Sequence, residues 1–144
     1  MRQKADTLLP ALLKRCARLI DRSIDESLKQ HAIARSQYRV MYYVARHSEP
    51  TQTSLREAMQ IQASTLTLIV NRLVQKGWLV RVKDGSDKRT NKLQLTADGE
   101  KRLQQIPDPL QKLQQTILQN LTKAEAEALT LSLNKVINKL SAKE

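Results

Sequence analysis

The chain has 144 residues, 40% of them hydrophobic, which is enough for one domain with a real core and argues against a disordered segment. Twenty-five Lys and Arg against 14 Asp and Glu leave a net charge of +11, pointing to a polyanionic partner such as nucleic acid or an acidic membrane face. A single Cys excludes an internal disulfide framework, and no apolar run has the length of a signal peptide or of a bilayer span, so a cytoplasmic protein with no membrane partner is expected.

With no Phe and only Trp78, Tyr38, Tyr42 and Tyr43 as aromatic residues, the core must be built from Leu, Ile, Val and Ala, which favours helix packing. Leu9, Leu13, Cys16, Ile20, Ile24 and Leu28 recur at helical spacing and predict a first amphipathic helix. Ser36 is the expected N-cap of a second helix through Val44, and Thr51 that of a short third one with Leu55, Ala58 and Met59 inward. From about 63 to 76, Leu66, Ile69, Val70 and Leu73 fall on one side of a helix and Ser64, Thr65, Leu68, Asn71 and Arg72 on the other. Gly77 should end it.

The period then drops to 2. Leu79, Arg81 and Lys83 alternate with Val80 and Val82, and after a loop holding Gly85, Lys92, Gln94 and Thr96 alternate with Leu93 and Leu95. This predicts a two-stranded hairpin. Helix resumes at Thr96, must bend or break near Ile106 because of Pro107 and Pro109, and restarts at Thr122, where TKAE forms a capping box with Glu125.

Two short helices followed at once by a hairpin make a winged helix-turn-helix, so the fold class is mainly α with a small β-hairpin wing. The second helix is narrow enough for a major groove, and the hairpin can carry cations to a neighbouring minor groove. Residues 33–96 hold +7 of the net charge, which concentrates it where the DNA-facing lobe is expected.

The hairpin residues Arg81, Asp84, Asp87, Arg89, Leu95, Thr96 and Gly99 match, without a gap, a D-x-R core followed by a strand ending in L-T-x-x-G. Together with TQTSLREAM and STLTLIVNRLVQKGWLVR upstream, they make the chain resemble the MarR family of bacterial transcription regulators over nearly its whole length. The resemblance implies an intertwined homodimer: a DNA-binding lobe at 33–96, and a helical dimerisation region at 1–32 and 97–144 that holds two lobes apart over a pseudo-palindrome. The long apolar stripes of the terminal helices agree, since a small monomer offers them few partners. Three positions depart from the family pattern. Gln60 stands where glycine is common, Gln62 where Ser often caps the recognition helix, and Leu68 where Arg is frequent. Because Gln caps poorly, a helix start at Ser64 is open.

Position and chemistry then assign roles on double-stranded DNA. Ser64, Thr65 and Thr67, near the recognition-helix start, suit phosphates or base edges, with a helix–helix contact as the alternative for Thr67. Arg72 suits guanine and Asn71 adenine. Arg89 is the expected minor-groove reader, oriented by Asp87, while Lys83, Lys88 and Lys92 are expected on phosphates.

For a switch, the resemblance implies release by a small aromatic or phenolic anion, or by cysteine oxidation. Arg15, Arg18, Arg22, Tyr38, Arg39, Tyr42, Tyr43 and His47 offer the cations and phenols such an anion needs, unless the tyrosines fill the core and the arginines are solvated. Cys16, among Lys14, Arg15 and Arg18, has a redox-sensor reading beside ordinary packing in its helix stripe. The expected function is a homodimeric transcription regulator, a repressor released by an effector. The rival is an architectural DNA binder or a winged-helix adaptor. An enzyme fails on inventory: two histidines, three glycines without a phosphate loop and no metal-ligand spacing leave no catalytic set and no cofactor.

Overall fold

The structure, a computed structural model, describes residues 8–83, 85 and 91–142. Among the described residues, seven helices and two strands follow in the order α1 (Leu9–Lys29), α2 (Arg35–Arg46), α3 (Gln52–Met59), α4 (Ala63–Gln75), β1 (Leu79–Lys83), β2 (Asn91–Leu95), α5 (Ala97–Gln104), α6 (Pro109–Leu118) and α7 (Lys123–Ser141). They form two compact units that divide after Pro107.

In the first unit, most helix boundaries follow local chemistry. Pro10 sits in the first turn of α1, where its missing N–H is harmless. Arg35 reaches back to Asp21 and Asp25, tying the start of α2 to α1. The N-cap of α2 is Ala34 rather than the expected Ser36. Gln37 makes this workable: its Oε1 accepts from the Ala34 N–H at 3.4 Å, so the glutamine side chain supplies the half of a capping box that alanine does not need. At α3 the expected cap is present. Thr51 Oγ1 accepts from the Ser54 N–H at 3.0 Å, and Ser54 Oγ accepts from the Thr51 N–H at 3.1 Å.

Gln60 ends α3 with φ 52°, in the left-handed region where a glycine would be unstrained. The next helix begins at Ala63, not Ser64, with Gln62 in the N-cap position making no side-chain cap. Tertiary burial therefore sets this boundary in place of the cap: Leu66, Ile69, Val70 and Leu73 are all buried. Gly77, at φ +73°, closes α4 in a Schellman turn, with Trp78 N–H donating to the Leu73 carbonyl at 3.0 Å and Gly77 N–H to that of Val74 at 2.9 Å.

β1 and β2 pair antiparallel with Leu79 opposite Leu95, Arg81 opposite Leu93 and Lys83 opposite Asn91. The expected alternation holds, since Leu79 and Leu93 are buried while Val80 is 40% exposed. Leu93 N–H donates to the Pro50 carbonyl at 2.8 Å and Thr51 bridges to Lys92, so the α2–α3 connection lies along the outer side of β2. Thr96 then starts α5: its Oγ1 accepts from Gly99 N–H and donates to the Gly77 carbonyl. At Gly99 a Cβ would sit 2.0 Å from the Trp78 carbonyl oxygen, so this close approach of helix to strand requires glycine. The core behind these elements includes fully buried Leu28, Val40, Met41, Leu55, Val70, Leu73 and Leu93.

Pro107 and Pro109 interrupt the helix outright instead of bending it. α5 ends at Gln104, and α6 starts afresh at Pro109, capped by Asp108, whose side chain accepts from Leu110 N–H at 2.9 Å. α7 opens on the expected box: Glu125 Oε2 accepts from Thr122 N–H at 2.8 Å, and Thr122 Oγ1 accepts from Glu125 N–H at 3.2 Å. The Thr122 N–H, together with the Thr122 hydroxyl that donates to the same Oε2 at 2.9 Å, favours the carboxylate and holds Glu125 below its ordinary pKa. No residue of α7 is buried.

Candidate nucleic-acid interface

The side of α4 turned away from the core carries Ser64, Thr65, Thr67, Leu68, Asn71 and Arg72, all exposed. Ser64 and Thr65 occupy the first turn, where backbone N–H groups lack intrahelical partners and Gln62 supplies no side-chain acceptor. Hydroxyls and amides there converge on a position suited to an anion. Leu68, 59% exposed, puts an apolar side chain in the middle of this face.

Behind the face runs a hydrogen-bond chain that links α3, α4 and β1. Arg81 Nη2 donates to Asn71 Oδ1 at 2.6 Å, and its Nε donates to Gln52 Oε1 at 3.3 Å. Gln52 Nε2 donates to Thr67 Oγ1 at 3.3 Å, and the Thr67 hydroxyl donates in turn to the Ala63 carbonyl at 2.9 Å. Thr67 therefore does take part in a helix–helix contact. Gln52 has no signature in the sequence. Arg81 has one: a cation on the inward side of a strand, opposite Leu93, needs partners.

On the wing, Lys83 is exposed. Lys92 pairs with Glu49 at 2.9 Å, and Glu49 also accepts from Gln94 Nε2 at 2.9 Å. The ammonium expected on a phosphate thus already has a carboxylate, which anchors β2 to the α2–α3 connection. Asp87, Lys88 and Arg89, together with Asp84, lie outside the described residues.

The residues considered for an effector stand in several different settings. Tyr38 is buried in the core and stacks on Tyr42 at 5.8 Å, Arg46 covers the Tyr42 ring at 4.5 Å, and Tyr43 stacks on His47 at 3.8 Å. Arg15, Arg18, Arg22 and Arg39 are exposed. Cys16 is exposed as well, although it falls in the apolar stripe of α1. A cleft of about 510 Å³ does open among the C-terminal end of α2, β2 and α5, lined by Val44, His47, Glu49, Leu93, Leu95 and Leu103 among others. Of the effector candidates it takes only His47. Among the described residues, no group of three or more His, Cys, Asp or Glu is placed to hold a metal ion, and no helix is long and apolar enough to cross a membrane.

Comparison with known proteins agrees with this geometry. Residues 33–90 match the MarR family. The multiple antibiotic resistance protein MarR of Salmonella typhimurium is 30% identical over 118 residues, spanning 81% of this chain and 82% of the relative. A crystal structure of a MarR mutant from Escherichia coli complexed with operator DNA superposes with a TM-score of 0.78 at 28% identity, covering 91% of this chain and 96% of that one. The MepR–DNA complex of Staphylococcus aureus shares the fold, with a TM-score of 0.81 at 22% identity over 92% of this chain and 98% of that one. A winged helix-turn-helix with this α4 and this hairpin, and a relative 30% identical over most of both lengths, place the chain in the MarR family of transcription regulators.

Proposed function

We propose that the chain is a DNA-binding transcription regulator, acting in the cytoplasm as a homodimer that occupies a pseudo-palindromic operator and represses transcription until a small aromatic effector releases it. The observation that carries this reading is the outward face of α4: four hydroxyl or carboxamide side chains and Arg72, mounted on a helix whose opposite side is fully built into the core. That is the side-chain set of a major-groove reader on a rigid support. The operator DNA bound by the E. coli relative supports the same reading.

In this reading residues 33–96 form the DNA-binding lobe, while 1–32 and 97–144 dimerise. Exposed Leu110, Ile117, Leu129, Leu131, Ile137 and Leu140 support a partner for the terminal helices, because a second copy is the simplest way to cover them. The two α4 helices must then sit about 34 Å apart to enter successive major grooves, and an effector acts by favouring a dimer with another spacing.

The test is a titration of labelled duplex carrying the region upstream of the chain's own gene against a shuffled duplex, at two salt concentrations. Specific regulation predicts tighter binding to the natural sequence by about 10³-fold or more. Equal affinities with a steep salt slope would make the protein an architectural binder, and no binding would make it an adaptor. Arg89→Ala should weaken operator binding substantially with the dimer intact.

A further inference from the structure

The hydrogen bonds behind α4 all run in one direction. Arginine has donors only, so any carboxamide that meets it must present oxygen. Arg81 meets two, Asn71 Oδ1 at 2.6 Å and Gln52 Oε1 at 3.3 Å. Turning both oxygens toward one guanidinium turns both amide nitrogens away from it. The nitrogen of Gln52 is used inside the protein, on Thr67. That of Asn71 has no protein acceptor among the described residues, and Asn71 is exposed on the outward face of α4.

We propose that Arg81 is a positioning residue for base recognition: by holding Asn71 Oδ1 it leaves Asn71 a donor alone toward the major groove, so that Asn71 selects keto bases over amino bases. This rests on the DNA-binding reading above, and it replaces the two-bond adenine contact expected from residue type alone. Guanine shows two acceptors, N7 and O6, and thymine shows O4, each of which can receive Asn71 Nδ2–H. Cytosine shows only its N4 amino group, and adenine sets its N6 amino group beside a single acceptor, N7, so a side chain that only donates meets a donor at either edge and gains less there than from the keto bases. The adenine pairing needs Oδ1 to accept from N6 beside Nδ2 donating to N7, but that oxygen is already held by the Arg81 guanidinium at 2.6 Å. Specificity at one base pair is thereby set by a strand residue behind the helix.

The experiment is operator selection from a randomised duplex pool with three proteins: wild type, Asn71→Asp and Arg81→Met. Wild type should enrich guanine or thymine at one position in each half-site. Asn71→Asp keeps a partner for Arg81 but replaces the outward donor with an acceptor, so preference at that position should invert to adenine or cytosine by about tenfold. Arg81→Met frees the carboxamide to turn, and preference there should collapse or move to adenine while the other positions keep theirs. A lost charge or a softened fold lowers affinity for all duplexes alike and does not reshape the profile. In the free protein, the Asn71 side-chain NH₂ resonances in a ¹⁵N–¹H spectrum should be displaced from those of a freely mobile asparagine in wild type and return to them in Arg81→Met. Adenine at the Asn71-dependent position in wild type, or a profile that neither substitution moves, overturns the proposal. If wild type selects no sequence while the NH₂ signature is present, the DNA-binding reading fails and the selectivity falls with it. If selection succeeds but the signature is absent, only the role of Arg81 is overturned.

Discussion

Residues 8–107 build a buried leucine core that residues 108–142 lack, although Leu8, Leu9, Leu12, Leu19 and Leu68 of the first unit are exposed as well. The first unit buries Leu28, Leu55, Leu66, Leu73, Leu79 and Leu93 to 2% exposure or less, whereas the second leaves Leu110, Leu131 and Leu140 about 60% exposed and buries nothing in α7. The helices of both carry similar apolar content, so the difference is one of available partners. The first unit has a hairpin and five helices to close around a core, and the second has two helices. One has a core of its own; the other leaves its leucines in solvent.

Five variants break or sharpen this contrast, in order of expected effect. Leu73→Ala removes a fully buried side chain from the centre of the first unit and should cost about 2–5 kcal/mol, read as a lower urea midpoint. The combined Leu131→Ala and Leu140→Ala variant should cost less than about 0.5 kcal/mol if these side chains stay in water. Covered by a second copy, the pair should cost on the order of 2 kcal/mol and make the thermal midpoint depend more steeply on protein concentration. A midpoint independent of concentration in both proteins would sink the homodimer.

Thr122→Ala tests how far α7 depends on its own capping box, and should cost about 1 kcal/mol in thermal unfolding. Glu125→Ala probes the other half through pH. Because the folded carboxyl titrates below its unfolded value, its contribution is present above the unfolded pKa and disappears as pH falls through the folded pKa. The difference in midpoint between wild type and Glu125→Ala should accordingly be largest near neutrality and vanish in acid. Smallest is Gln60→Gly, which relieves a left-handed φ of 52° and should stabilise by about 0.5–1 kcal/mol. No gain there would mean that Gln60 makes a compensating contact.

Features with a local cause could be read from the sequence. The change of period after Gly77, the buried quartet of α4, the N-cap at Thr51, the box at Thr122 and the break at Pro107 and Pro109 are each set by a few neighbouring residues. Features with a distant cause could not. Ser36 is a better cap than Ala34, yet α2 starts after Ala34, in the stretch where Arg35 pairs with α1 and Gln37 reaches back. Gln62 is a poor cap, yet α4 starts beside it because the hydrophobic side chains fix the register. At the candidate interface the outward residues of α4 followed from periodicity, but the bonds that orient them did not. Gln52, Asn71 and Arg81 meet across as many as 29 positions, and Lys92 finds Glu49 across 43. Cys16 shows the limit of a stripe argument: sharing the apolar spacing of α1 leaves it exposed, because a stripe is buried only where something packs on it.

The missing side chain at residue 99 has a mechanical consequence. With nothing between α5 and the Trp78 carbonyl, and with Thr96 bonded to both Gly77 and Trp78, the helix and the base of the hairpin share a joint with no slack. A displacement of α5 along its axis must therefore reach the wing as movement, not be absorbed as a change of packing. Gly99→Ala would put a wedge in that joint, and the first sign of it should be a hairpin whose amides exchange faster while the buried amides of α4 remain protected.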